Sequence, residues 1–230
     1  MPKPYFDIQQ FGEQTDIYIF GDITRYADEA SQETSAYSLV QQLKKIPDAA
    51  EINLHIDSFG GNVPEGWAIY NALQSSRARV TSYADGFVAS AAIYPFLAGQ
   101  ERIASNVSAF YFHPASQFAS GYAEDLRNAA NALDQLTEIG LGAFTNAGME
   151  EQAARDLVNS KAWYSPAAML EKGIATSIRK TGDASGVSQS VRGLIVQQLM
   201  VPHKDAEPPA EPQPEEPPAK LSLMQMLCNI

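Results

Sequence analysis

The chain has 230 residues, 45% of them hydrophobic and 19% charged, with a formal net charge of -11 and a single cysteine, Cys228. That length supports one well-buried domain plus a tail. The acidic balance excludes the clustered Lys and Arg that phosphate neutralisation needs, so no nucleic-acid partner is expected. One cysteine excludes an intramolecular disulfide and points to the cytoplasm. Residues 1–6 lack the charged and apolar regions of a leader, and no apolar run approaches the roughly 18 residues of a membrane span, so a soluble, unprocessed protein is expected.

In chain order, residues 16–20 are short and β-rich and end at Gly21-Asp22, a turn signal. From Thr34 or Ser35, the apolar positions Ala36, Leu39, Val40 and Leu43 fall at helical spacing, with Thr34 as the expected N-cap. A strand over 51–56 alternates Ile52, Leu54 and Ile56, and after a glycine turn a second amphipathic helix carries Val63, Trp67, Ile69, Tyr70 and Leu73. Residues 79–84 read as a third strand. This strand-helix alternation predicts right-handed crossovers and a largely parallel sheet.

Residues 88–97 read as a helix kinked by Pro95. Strands are expected over 101–103 and 109–112, the second ending at His113, which Pro114 holds in the extended region. A long helix follows from Tyr122 to about Asn146, with more apolar surface than a small sheet can cover, so part of it is expected to face another subunit. Helices over 150–158 and 166–171 precede a last strand over 174–178.

The domain is expected to close at 180, followed by a linker (181–201) that is Gly- and Ser-rich over 181–193 with a brief apolar patch over 194–201, a Pro- and Glu-rich disordered spacer (202–220) and an apolar tip (221–230) containing Leu221, Leu223, Met224, Met226 and Leu227. The tip reads either as a terminal remnant or as a docking peptide for a partner. No internal repeat is found.

Ser90 is the one hydroxyl in a run of small residues, Gly86 to Ala92, that follows a strand. A serine becomes a nucleophile only when a base takes its proton and donors hold the oxyanion. His113 is the available base, and the amides of Gly60, Gly61 and Ala91 are the available donors. Singly, each has a bland reading: a packed small residue, a structural histidine, a tight turn. The order strand-Gly-Gly-helix, strand-small-Ser-helix, strand-His is what gives them weight together. Ligand sites in such sheets gather at the carboxyl ends of strands, where all three fall.

Ile56-Asp57-Ser58-Phe59-Gly60-Gly61-Asn62-Val63 with Gly66 and Ile69-Tyr70, then Gly86 to Ala91, then Tyr111-Phe112-His113-Pro114, resemble the glycine, nucleophile and histidine elements of the Clp protease proteolytic subunit (ClpP) family. Gly21-Asp22, Tyr70-Asn71-Ala72-Leu73 and Trp163 ahead of Ser165-Pro166 are similar to its phage and prophage head-maturation branch. The resemblance implies an α/β fold of the ClpP/crotonase type, a superhelix of repeated ββα units with a largely parallel sheet and a long projecting helix. It implies a serine endopeptidase without a cofactor, in which Ser90 is acylated, His113 is general base and then acid, and the Gly61 and Ala91 amides form the oxyanion hole. It further implies a heptameric ring or double ring acting on peptide or protein substrates, with a separate ATP-driven unfoldase or capsid proteins as partners; the chain has no phosphate-binding loop of its own.

One position departs from that family. Its third triad member, an acid, aligns with Lys161, whose ammonium opposes the imidazolium that must form. Asp156 or Asn159 could substitute, His113 could work in a dyad with its other nitrogen on a carbonyl, or Lys161 could itself take part. A catalytically impaired scaffolding protein of the same fold is the alternative function, and an acyl-CoA enzyme of the crotonase type is the third. Asp57, where the family has Asn, reads as a strand-end cap. His55 reads as structural and His203 as disordered, and neither has partners at metal-ligand spacing.

Overall fold

The computed structural model describes residues 8–11, 14–25, 33–43, 46 and 51–180. The expected linker, spacer and apolar tip, with His203 and Cys228, lie outside the described residues.

The elements run β1 (Ile8–Phe11), β2 (Gln14–Phe20), β3 (Asp22–Ile23), β4 (Glu33–Thr34), α1 (Ala36–Leu43), β5 (Glu51–Ser58), α2 (Val63–Ser75) and β6 (Arg79–Ala89). A 3₁₀ turn (Ser90–Ala92) then leads to α3 (Ile93–Leu97), β7 (Glu101–Ser105), β8 (Ala109–Phe112), α4 (Ala123–Asn146), α5 (Glu151–Asn159), β9 (Ala162–Tyr164), α6 (Pro166–Glu171) and β10 (Ser177–Arg179). One sheet takes the order β1-β2-β5-β6-β7-β10, with β8 joined to β6 and β9 to β8. The β2-β5-β6-β7-β10 pairs and the β6-β8 pair are parallel; β1-β2 and β8-β9 are antiparallel. The protein is therefore of mixed α/β class with a mostly parallel sheet, as expected from the alternation of elements.

Helices α1, α2 and α3 pack together, and α3 also packs on β6 and α4. Between them and the sheet lies a core of fully buried side chains that includes Ile17, Ile19, Ile52, Leu54, Ile56, Ile69, Val80 and Phe96. Burying each such side chain contributes on the order of 2 kcal/mol. Asn62 caps α2 by accepting from the Glu65 amide, and Glu65 reaches back so that its Oε2 accepts from the Ala36 amide at the start of α1. The residue before α1 is Ser35; the expected cap, Thr34, ends β4 instead.

Three further expectations are corrected. The third strand does not end at 84 but runs to Ala89, and residues 88–97 are not one kinked helix. Glycine and alanine carry little β preference, so the pattern hid the strand. Pairing in three dimensions supplies it: Phe87, Val88 and Ala89 are in register with Ala109, Phe110 and Tyr111 of β8. Because α3 begins only at Ile93, Pro95 sits in its first turn, where no intrahelical partner is lost and no kink is forced. The last strand is likewise Ser177–Arg179; the preceding Ile174 and Ala175 are buried with their amides on the Met169 carbonyl, closing α6.

Buried Arg102 on β7 has no carboxylate partner among the described residues. Its guanidinium donates to the carbonyls of Gly99, Gly173 and Ile174 at 2.7 to 3.1 Å, and more loosely to that of Ala147 at 3.5 Å. Burial holds its pKa below the usual arginine value. These carbonyls follow the ends of α3, α4 and α6, where helix dipoles favour a cation.

Helix α4 is 24 residues long, yet its fully buried side chains begin only at Gly140. Its first half projects, with Leu126 exposed, and Ile139 just before the buried part is exposed as well. No helix of the described residues is long and apolar enough to cross a membrane.

Candidate active site

Strand β6 changes partners along its length. Residues 81–84 pair with β7, residues 87–89 with β8, and between them the β5 register slips: Ile56 faces Ala84, but Ser58 faces Val88. One β5 residue, Asp57, therefore stands opposite three β6 residues. The bulge leaves the Phe87 amide without a ladder partner, and Asp57 Oδ1 accepts from it at 2.8 Å. Gly86 lies flat against that carboxylate; a Cβ there would sit 2.3 Å from Oδ1. The expected capping role of Asp57 is thus exercised on the neighbouring strand.

The redirected strand ends in a strained corner. Ala89 is extended, and Ser90 follows with φ 52, a left-handed conformation rare for a residue with a side chain. The expected placement of Ser90 inside a regular helix start is therefore replaced by a tight strand-to-3₁₀ corner. Small neighbours allow it: a Cβ on Gly60 would meet the Ala89 carbonyl at 2.5 Å and the Ala91 amide at 2.7 Å.

His113 follows β8, which lies beside the β6 segment leading to Ser90. Its Nε2 is 2.7 Å from Ser90 Oγ, and its Nδ1 is 2.6 Å from the Pro114 carbonyl oxygen. A carbonyl only accepts, so Nδ1 carries the hydrogen, and in the neutral ring Nε2 is the bare nitrogen facing the hydroxyl. Both residues are half-buried and border a cavity of about 70 Å³ whose lining includes Gly61, Val63, Ala91, Tyr94 and Phe144. Burial pushes the Tyr94 phenol up from its ordinary value.

The remaining candidates sit apart from the imidazole. Asp156 Oδ1 accepts from Gln152 Nε2 on the exposed face of α5. Asn159 and Lys161 are exposed, and neither is hydrogen-bonded to His113. The antiparallel ladder of β8 and β9 ends at the pair Phe112 and Ala162, and Lys161 lies one residue outside it with φ 49. Along the outer sheet face an aromatic row runs from Phe59 through Phe87, Trp163 and Tyr111 to the His113 ring, with neighbouring centroids 4.6 to 5.6 Å apart.

His55 is buried and bonded through Nδ1 to Asp85 Oδ2 at 2.6 Å, and neither residue lines the cavity. Sequence reasoning placed Ser90, His113, Gly61 and Ala91, which the structure brings to one cavity. It did not find the Pro114 carbonyl as a specific partner, nor Thr137, which also borders the cavity from α4. Only the adjacency of Pro114 to His113 hinted at the first; no local signal marks Thr137.

A mostly parallel α/β sheet that delivers a serine on a strained corner to the bare nitrogen of an imidazole has the layout of a serine hydrolase. The chain belongs to the Clp protease family, whose family model matches residues 9–182. It is 28% identical over 179 residues to the ATP-dependent Clp protease proteolytic subunit 3 of Streptomyces avermitilis, covering 74% of this chain and 80% of that protein. It is 25% identical over 177 residues to the ATP-dependent Clp protease proteolytic subunit 2 of Treponema pallidum, covering 74% and 84%. Among solved structures, a ClpP1 mutant from Listeria monocytogenes superimposes with a TM-score of 0.61 at 20% identity, covering 73% of this chain and 92% of that one, which bears on the fold.

Proposed function

We propose that this protein is a ClpP-type serine endopeptidase that uses a Ser90-His113 pair. The observation that carries the reading is the 2.7 Å contact between Ser90 Oγ and a His113 Nε2 left bare by the hydrogen on Nδ1. His113 Nε2 takes the Oγ proton as Oγ attacks the scissile carbonyl carbon. The amides of Gly61 and Ala91 hold the resulting oxyanion, and the protonated imidazole gives its proton to the leaving amine. Water, activated by the same nitrogen, then attacks the acyl-serine and frees the acid, returning the proton to Oγ. The substrate lies extended beside residues 60–63, with one side chain in the apolar cavity.

The relatives are named as ATP-dependent proteolytic subunits. By that likeness the chain forms a heptameric ring or double ring, its long helix α4 meeting another subunit through Leu126 and Ile139, and a separate ATP-driven unfoldase feeds it. The residues Tyr70-Asn71-Ala72-Leu73 and Trp163 support assignment to the phage head-maturation branch, with capsid proteins as substrates in the host cytoplasm. A second reading, a scaffolding protein of the same fold with impaired catalysis, is favoured by Lys161 at the position where the family's third triad member is an acid. Fluorophosphonate labelling decides between them. Labelling of the wild-type chain that disappears in Ser90→Ala supports the peptidase; an intact oligomer that never labels supports the scaffold. A monomer at micromolar concentration by light scattering counts against the ring.

A further inference from the structure

Among the described residues no carboxylate is bonded to His113 Nδ1, and its partner is one end of the Pro114-Ala115 peptide group. The other end of the same planar unit is held as well. The Ala115 amide donates to Thr137 Oγ1 at 3.0 Å, and Thr137 Oγ1 donates in turn to the Leu133 carbonyl at 2.9 Å, one helical turn back in α4. The chain of bonds is therefore continuous. Ser90 Oγ–H reaches His113 Nε2, His113 Nδ1–H reaches the Pro114 oxygen, Ala115 N–H reaches Thr137 Oγ1, and Thr137 O–H reaches the backbone of a 24-residue helix.

Resting on the peptidase reading above, we infer that Thr137 is a positioning residue that lets one peptide group stand in for the acid of a triad. Amide resonance links the two ends of the unit: accepting the Ala115 hydrogen draws density from nitrogen and toward the Pro114 oxygen, strengthening it as an acceptor. The same bond fixes the plane, so the oxygen stays aimed at Nδ1 while the imidazole gains and loses a proton at Nε2. A peptide group carries no net charge, which makes it a weaker partner than a carboxylate and makes its aim at Nδ1 matter the more. Position 137 must then supply an acceptor and a donor at once, and a hydroxyl does both.

The three variants that test this differ in little else. Thr137→Val keeps the shape and removes the hydroxyl; Thr137→Ser keeps the hydroxyl and removes a methyl. In the full chain, assembled as the wild type assembles, the fluorophosphonate labelling rate falls about tenfold in Thr137→Val, the scale of one lost hydrogen bond, and recovers in Thr137→Ser. Should Thr137→Val not assemble, Thr137→Ala is read in its place. A second readout does not need turnover. In 15N-histidine-labelled protein, the His113 Nδ1–H resonance moves and exchanges faster with solvent in Thr137→Val and returns to its wild-type position in Thr137→Ser.

Labelling and resonance both unchanged in Thr137→Val overturn the inference. So does equal loss in Val and Ser variants that melt together below wild type, which marks packing alone. If the wild-type chain itself never labels, the peptidase reading fails, and the resonance still shows whether Thr137 holds the imidazole.

Discussion

Two histidines among the described residues stand in opposite circumstances, and the contrast separates architecture from chemistry. His55 has the partner that a catalytic histidine is supposed to have, a carboxylate at 2.6 Å, and Arg179 braces that carboxylate from the far side at 2.8 Å. Yet its ring is 1% exposed and stacked between Tyr18 and Tyr83, with centroids 4.9 and 4.8 Å away. His113 has only a peptide carbonyl, but its other nitrogen meets a hydroxyl at the wall of a cavity. An acid-histidine pair thus marks chemistry only where the second nitrogen faces a reactive group and space for a substrate.

The widest separation comes from removing each ring. His113→Ala is expected to lower the fluorophosphonate labelling rate by about ten-thousand-fold, the scale of losing a triad member, with little change in melting temperature. His55→Leu reverses the pattern: labelling of the folded protein persists, while urea denaturation shows a loss of about 2 kcal/mol from leaving Asp85 Oδ2 without its donor. If His55→Leu silences labelling while leaving stability intact, the division of roles is wrong.

A smaller effect should join the two sites, since the strand carrying Asp85 is the one that bends toward Ser90. Asp57→Ala frees the Phe87 amide at the bulge and is expected to slow labelling about tenfold, whereas Asp57→Asn, which keeps the acceptor, labels at nearly the wild-type rate. Equal rates for both variants would mean the bulge holds itself.

The smallest effect is a pH dependence of stability. Burial raises the phenol pKa values of Tyr83, beside His55, and Tyr94, beside the cavity. A raised folded-state value means stability is complete below the unfolded phenol's value of about 10 and is lost as pH rises through the folded value. Tyr94→Phe should therefore flatten the decline in melting temperature above about pH 10 and leave the neutral region alone.

These differences explain what the sequence could disclose. Helix α6 and strand β8 fall where local pattern puts them, and the long helix misses by a single residue at its start, because proline, alternation and helical spacing are local signals. The bend of β6 was not legible. Gly86 and Ala89 are weak strand formers, and what makes them strand is the edge of β8, more than twenty residues later. The left-handed Ser90 was likewise hidden, since its strain is sustained by the close approach of Gly60 from the turn after β5. Ser90 and His113 were found through their order along the chain. The Thr137 hydroxyl was not, because it reaches the site across a gap of 22 residues to Ala115.

Arg102 has a consequence for how the molecule opens. One guanidinium ties segments that follow α3, α4 and α6, so none of these ends can fray without breaking a bond to the others. Their amides belong to a single cooperative unit, one of the last to exchange hydrogen with solvent, while the projecting first half of α4 exchanges early. The chain thus keeps its slowest-opening region behind the cavity and its most yielding helix on the side where another subunit would bind.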